Sequence, residues 1–225
     1  VTVSDAEDGY PLGLHLYYLE DQSRSLTIED ISGGAYDDAF IPSRENIPNF
    51  AFTDSVYWMR FTVRTERLKQ HDWILEFSYP LMDQISLYEM KKGGRAVLLG
   101  ETGFSLPVNT RESSHRFFLF NLKLAPEETR TYYLRLANED RMEVPLKLWS
   151  ARAYYARDHD EQYLLGIYFG LILFICVFNL LILVSIRDMS YLYYILFVLS
   201  FGFFQLIQNG TLQEYFWPSA LERFN

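Results

Sequence analysis

Residues 163–186, YLLGIYFGLILFICVFNLLILVSI, carry no charged side chain. As a helix rising about 1.5 Å per residue they would extend roughly 36 Å. A bilayer core is about 30 Å thick, and about 20 apolar residues span it. Asn179 is the one strongly polar side chain inside the run. A helix buried in a soluble core usually keeps a polar stripe toward water, whereas this one is apolar all round. A secretory signal would sit at the amino terminus with a shorter apolar stretch, and this run lies toward the other end. It predicts a membrane-spanning helix.

A second apolar run, Tyr191 to Ile207, follows after only Arg187-Asp188-Met189-Ser190. So short a connection makes the two helices antiparallel neighbours. The tail then returns to the starting side, where Tyr215, Phe216 and Trp217 suit a membrane–water interface. Two spans make a poor complete membrane domain, so the sequence reads as an excerpt of a longer protein. Orientation is weakly marked. Arg187 sits beside Asp188 in the hairpin, and Arg152 and Arg157 are mixed with Asp158, Asp160 and Glu161 before the first span. The Lys/Arg bias that sets topology is therefore slight.

The formal net charge is −9, carried almost wholly by residues 1–162. That argues against a nucleic-acid partner, which requires phosphate neutralisation. The single cysteine, Cys176, lies in the first apolar run. The upstream part thus has no disulfide and no Cys-based metal site, and about 150 residues bury enough surface to need neither. His15, His71, His115 and His159 show no ligand spacing. No cofactor is called for. No G-x-S-x-G, H-E-x-x-H or phosphate-cradling loop occurs, so catalysis is not expected. The Asn209-Gly210-Thr211 triplet fits a glycosylation pattern too short to carry weight.

Upstream of the apolar runs the pattern is β. Tyr57, Met59, Phe61 and Val63 alternate along one strand, and Trp73, Leu75, Phe77 and Tyr79 along another. Ile85 and Leu87, then Phe118, Phe120, Leu122 and Leu124, then Tyr132, Leu134 and Leu136, then Val144, Leu146 and Leu148 continue the series. Period-two alternation with one apolar face marks antiparallel sheet. Turn signals such as Gly93-Gly94 recur at sandwich-like spacing. Residues 13–21 read as a strand, residues 25–40 as holding one helical turn capped by Ser25, and residues 41–52 as a proline-marked loop. The fold class predicted is an all-β jelly-roll sandwich over residues 1–150. A linker, 151–162, joins it to an α-helical hairpin over residues 163–225, with helix continuous into the first span as one reading of it.

The off-core positions mix aromatic rings with both signs of charge: Trp58, Arg60, Glu76, Tyr88, Tyr133 and Arg135, with Trp149 nearby. Rings stack on the apolar face of a sugar, and Arg and carboxylates bind hydroxyl or acidic groups. The plainer reading is a solvated face with modest cross-strand charge pairs, in which Arg135 pairs with Glu76 or Glu143. The alternative is a small-ligand site. Trp58 and Arg60 are its least ordinary members, since an exposed Trp is uncommon unless a loop covers it.

The segments YWMRFTV, WILEFSYPLMDQISLYE, RFFLFNLKLAPEETRTYYLRLANED and VPLKLW resemble the type 2 extracellular domain of bacterial seven-transmembrane receptors with diverse intracellular signalling modules. The membrane part resembles the same family's first two helices through Tyr168, Gly170, Asn179, Arg187-Asp188, Ser190-Tyr191, Tyr194, Gly210 and Trp217-Pro218. The resemblance implies a carbohydrate-binding-module-like jelly roll in the periplasm and a multi-pass bacterial inner-membrane protein in contact with lipid. It also implies a cytoplasmic histidine kinase or diguanylate cyclase output and a homodimer at full length. It carries the family's Y-W-x-R strand onto Tyr57, Trp58 and Arg60, and its later Arg-bearing strand onto Tyr133 and Arg135. The expectation is a non-enzymatic sensory input unit for a small ligand, a carbohydrate or similar. The competing expectation is a membrane-tethered carbohydrate-binding or adhesion module without signalling output.

Overall fold

The computed structural model describes residues 1–91, 93–106 and 115–211. Tyr215, Phe216 and Trp217, expected at the interface, lie outside the described residues. The strands are β1 (Thr2–Val3), β2 (Gly9–Pro11), β3 (Tyr17–Asp21), β4 (Ile41–Pro42), β5 (Asn49–Phe52), β6 (Val56–Thr65) and β7 (Asp72–Phe77). They continue as β8 (Gln84–Met90), β9 (Ala96–Thr102), β10 (Phe118–Lys123), β11 (Thr129–Ala137), β12 (Arg141–Glu143) and β13 (Leu146–Ser150). The helices are α1 (Ile28–Ser32), α2 (Ala151–Ile186) and α3 (Ser190–Gln208).

Two sheets face each other. The larger has the order β4-β3-β6-β11-β8-β9, with β1 added parallel to β6, and the smaller has the order β10-β7-β13-β2. β5 and β12 pair separately. The chain crosses between sheets from β6 to β7, β7 to β8, β9 to β10 and β10 to β11. Such repeated crossing belongs to a sandwich of the jelly-roll kind rather than to a meander. Alternation selects the core as expected. Met59, Phe61 and Val63 of β6, Leu134 and Leu136 of β11, and Ile85 and Leu87 of β8 meet Trp73, Leu75 and Phe77 of β7, Phe118 and Phe120 of β10, and Leu146 and Leu148 of β13.

Three local expectations change. The helical turn α1 is capped by Thr27, not Ser25: Thr27 Oγ1 accepts from the Asp30 amide while Asp30 accepts from the Thr27 amide. This reciprocal pair satisfies two otherwise orphaned donors. The strand expected from Gly13 starts at Tyr17, behind a 3-10 turn at Gly13–His15, because Gly13 lies against the Asn46 carbonyl with no room for a Cβ. Residues 41–52 are not all loop, since Pro42 ends the short strand β4 and Pro48 directly precedes the short strand β5.

Residues 151–162 are helical and run without a break into the apolar stretch, forming the 36-residue α2. Ser150 Oγ caps its start by accepting from the Ala153 amide at 3.3 Å. Arg187, in the left-handed region at φ 58°, ends it, and α3 packs back antiparallel. Gly202 of α3 sits against Ile172 of α2. Small residues at such contacts let helices approach in lipid. Asn179 Nδ2 donates to the Ile175 carbonyl of its own helix at 2.8 Å.

Candidate functional site

On the outer face of the larger sheet, the register sets Tyr17, Arg60, Tyr133 and Tyr88 in one row across β3, β6, β11 and β8. Leu19, Trp58, Arg135 and Ser86 form the next row. This face is not left to solvent. The segment carrying α1 and a 3-10 turn at Asp37–Ala39 crosses it and closes a second small core, where Trp58 and Tyr133 pack with Ile31, Phe40 and Val56. Trp58 is fully buried, and its indole N–H has no hydrogen-bond partner among the described residues. An open stacking platform at Trp58 is therefore ruled out: its ring is the floor beneath the strap. Tyr88 lies beside it, ring centroids 6.1 Å apart. Burial raises the Tyr88 phenol pKa.

Beyond the edge of the strap the same face opens into a groove of about 620 Å³. Arg60 and Tyr133 line it, with Tyr17, Asp37, Thr62 and Thr131. The Arg60 guanidinium pairs with Asp37 and stacks over Phe40 at 4.4 Å and Tyr17 at 5.6 Å. Held by a carboxylate and two rings, it presents a fixed, planar donor set. The Thr62 and Thr131 hydroxyls sit 3.0 Å apart. Partial burial lowers the pKa of His15 at the groove edge, keeping that imidazole neutral further into the acid range. Arginine, carboxylate, hydroxyl pair and tyrosine rings together suit a small ligand bearing hydroxyl groups.

Four expected site residues lie outside the groove: Trp58 and Tyr88 beneath the strap, Arg135 farther along the same face, and Glu76 on the other sheet. Arg135 donates to Gln84 Oε1 at 3.2 Å, next to Glu101, which accepts from Ser86 at 2.9 Å. It pairs with neither Glu76 nor Glu143. Glu76 belongs to β7 of the other sheet, on the far side of the sandwich. Strand alternation separates inward from outward positions but does not say to which of two sheets a strand belongs. It therefore pooled Glu76 with residues of the opposite face.

Glu76 has a different setting, beneath the first turns of α2. It is buried, accepts from the Trp149 indole N–H at 2.6 Å and pairs with Arg157 of α2 at 3.4 Å. Arg157 also lies 4.8 Å over the Trp149 ring and pairs with Glu161 at 2.6 Å. Arg116, just before β10, pairs with Glu161 and lies 3.5 Å from Asp158. His115 Nε2 is 3.0 Å from Asp158 and 3.2 Å from the buried Tyr154 hydroxyl. Tyr154 packs with Ile74, Leu119 and Trp149. Burial, then repulsion from Arg157, lowers the Lys147 pKa beside this cluster. The sequence reading did not find this junction. Its signal was the spacing of Tyr154, Arg157, Asp158 and Glu161, which places all four on one helix face. At the other end of the hairpin, Gly210, at φ 70°, abuts Pro80 and the Arg116 carbonyl.

A family model described as 7TMR-DISM extracellular 2 matches residues 13–150, and one described as 7TM diverse intracellular signalling matches residues 161–225. The chain belongs to the 7TMR-DISM family. The sandwich is the extracellular domain of this 7TMR-DISM input unit. α2 and α3, both long and apolar enough to cross a membrane, fall largely within the membrane-domain match. No curated relative matches the sequence. Among solved structures, a β-glucuronidase of Ruminococcus gnavus aligns at 10% identity and TM-score 0.36, over 66% of this chain and 29% of that one. A carbohydrate-binding module of the β-sandwich superfamily aligns at 10% identity and TM-score 0.28, over 46% and 44%. A GH31 α-xylosidase of Xanthomonas citri aligns at 13% identity and TM-score 0.26, over 60% and 16%. The chain thus spans under a third of the glucuronidase's length.

Proposed function

We propose that this chain is the ligand-sensing input of a bacterial inner-membrane receptor, with the sandwich in the periplasm. The groove at Arg60 takes a small hydroxylated ligand, a carbohydrate or similar. Occupancy is passed through the sandwich to α2, and from there across the lipid to a cytoplasmic histidine kinase or diguanylate cyclase. The chain itself performs no catalysis, and the full-length receptor works as a homodimer. The observation that carries this reading is the continuity of α2, one helix whose first turns are ion-paired to the sandwich and whose remainder is uncharged and apolar from Tyr163 to Ile186. A ligand shifts such a unit only through its differential affinity for two arrangements, and a helix clamped to the domain gives those arrangements a route to the membrane.

The test is a thermal-shift screen of the whole chain in lipid nanodiscs against sugars, amino acids and small carboxylates. At least one sugar should raise the midpoint. Arg60→Ala should weaken that hit by about tenfold or more, as expected for loss of a charged hydrogen bond of about 1.5–3 kcal/mol. A hit indifferent to Arg60→Ala would move the site away from the groove. Coupling is read by attaching the native output domain: activity that never responds to the hit would favour a tethered binding module.

A further inference from the structure

Strand register and ion pairs show which end of the sandwich meets the membrane. β13 runs from Leu146, opposite Phe77, to Ser150, opposite Trp73. α2 then turns back along β7: Tyr154 packs with Ile74, Arg157 pairs with Glu76, and Glu161 pairs with Arg116, just before β10. The helix thus leaves the domain at the Phe77 end. Glu161 lies two residues before the uncharged run that begins at Tyr163, about 3 Å along the helix axis. On the return, Gly210 abuts Pro80 and the Arg116 carbonyl, three residues after the second apolar run ends at Ile207. This end of the sandwich is therefore held close to the plane where the spans enter lipid.

Four turns form that end: residues 53–55 before β6, 78–83 between β7 and β8, 103–106 after β9, and 138–140 between β11 and β12. They are tied to one another. The Asp83 amide donates to Asn138 Oδ1 at 2.9 Å, the Phe104 amide to the Met82 carbonyl at 2.7 Å, and the Ser105 hydroxyl to Asp83 at 3.1 Å. Arg141, just past the last turn, lies opposite Phe52. Two aromatic rings at this end are left exposed, Phe52 at 77% and Phe104 at 38%. In an unbroken strand Phe52 would share the direction of Phe50, which packs on Tyr57 with ring centroids 4.2 Å apart. Ala51 between them has φ 54°, a left-handed backbone uncommon outside glycine, and the alternation breaks there. A large apolar side chain kept exposed beside a strained backbone marks an interaction site.

We infer that this end is a seat on the bilayer surface, with Phe52 and Phe104 inserted at the boundary between headgroups and acyl chains. Apolar side chains at that depth bind a bilayer through the area they bury. The seat is hydrophobic rather than ionic. Asp54, Glu139 and Asp140 are exposed at the same end and enter no ion pair among the described residues, while Arg141 is paired with Glu143 at 2.6 Å. A surface of that sign is repelled by anionic headgroups, so the seat takes a neutral, zwitterionic one. Together with α2 it fixes the tilt of the domain over the membrane. The inference rests on α2 and α3 lying in lipid and is independent of what the groove binds.

The test places nitroxide labels on the whole chain in phosphatidylcholine nanodiscs, in a Cys176→Ala background that removes the single native thiol. Labels enter one at a time through Phe52→Cys and Phe104→Cys, both at exposed positions. Lys69→Cys, exposed between β6 and β7 at the opposite end of the sandwich, gives the water reference. Leu173→Cys, exposed within the first span, gives the lipid reference. Relaxation by oxygen, which concentrates in lipid, is compared with relaxation by a nickel chelate, which stays in water. The oxygen-to-nickel ratio at 52 and at 104 should exceed that at 69. Replacing about half of the lipid by anionic phosphatidylglycerol should lower the ratio at both positions. A water-like ratio at either 52 or 104, with 173 reporting lipid, would overturn the seat alone. A water-like ratio at 173 would overturn the membrane reading beneath it and the seat with it. A ratio unchanged or raised by phosphatidylglycerol would overturn the preference for neutral headgroups.

Discussion

Trp58 and Arg60 are two residues apart on β6 and point to the same side of the sheet, yet the strap over residues 22–42 gives them opposite fates. Trp58 is covered by Ile31 and Phe40 and stabilises the strap. Arg60 emerges at its margin, 23% exposed, where it meets both Asp37 and the groove. The two side chains should therefore separate in experiment. Trp58→Ala removes a fully buried ring and should cost about 3–5 kcal/mol, with a denaturation midpoint well below that of Arg60→Ala. Trp58→Phe should cost clearly less than Trp58→Ala, since it retains an aromatic ring and deletes an indole N–H that has no partner among the described residues. Chemical denaturation of the three variants side by side checks this ordering. Equal, small losses for both Trp58 variants would mean the strap is not docked.

At the scale of elements, the decisive contact is between α2 and the outer face of the smaller sheet. Hydrophobic packing through Tyr154, Ile74, Leu119 and Trp149 sets the helix down. The ionic groups around it fix its rotation, because Glu76 is buried and is held by the Trp149 indole and by Arg157, with Lys147 beside it on the neighbouring strand. Arg157→Ala leaves that carboxylate without its cation and should destabilise by about 1–3 kcal/mol. Adding Glu76→Gln to Arg157→Ala should recover part of the loss, because the neutral amide no longer needs the cation. A double-mutant cycle on thermal or denaturant midpoints measures the pair, with a coupling of about 0.5–3 kcal/mol expected for residues in one network. Strict additivity would mean the contact is incidental.

At the scale of the whole molecule, what was legible in the sequence is what local periodicity encodes. The inward face of β6, β7, β8, β10, β11 and β13 followed from period-two alternation, and the spans followed from the absence of charge. What was not legible depends on long-range assembly. No local pattern says that β7 lies in the sheet opposite β6, so Glu76 was grouped with Arg60 although the two face away from each other. Nothing in β6 announces that α1 will fold back over Trp58. The inward Glu89–Arg130 pair was equally hidden, since both look like ordinary surface charges until the register places them on inward rows. The junction was half visible: Tyr154, Arg157, Asp158 and Glu161 share a helix face, but their partners Glu76, His115 and Arg116 come from far upstream.

The central claim is that the extracellular sandwich and the first membrane span are joined by one unbroken, docked helix. Amide hydrogen exchange over residues 151–165 of the whole chain in nanodiscs tests it most directly. The account predicts slow exchange continuous from the first turn of α2 into the apolar run, with Arg157→Ala speeding exchange in residues 151–162 and leaving 170–186 protected. Fast exchange throughout 151–162 in the unaltered chain, with protection beginning only at the apolar run, would contradict it.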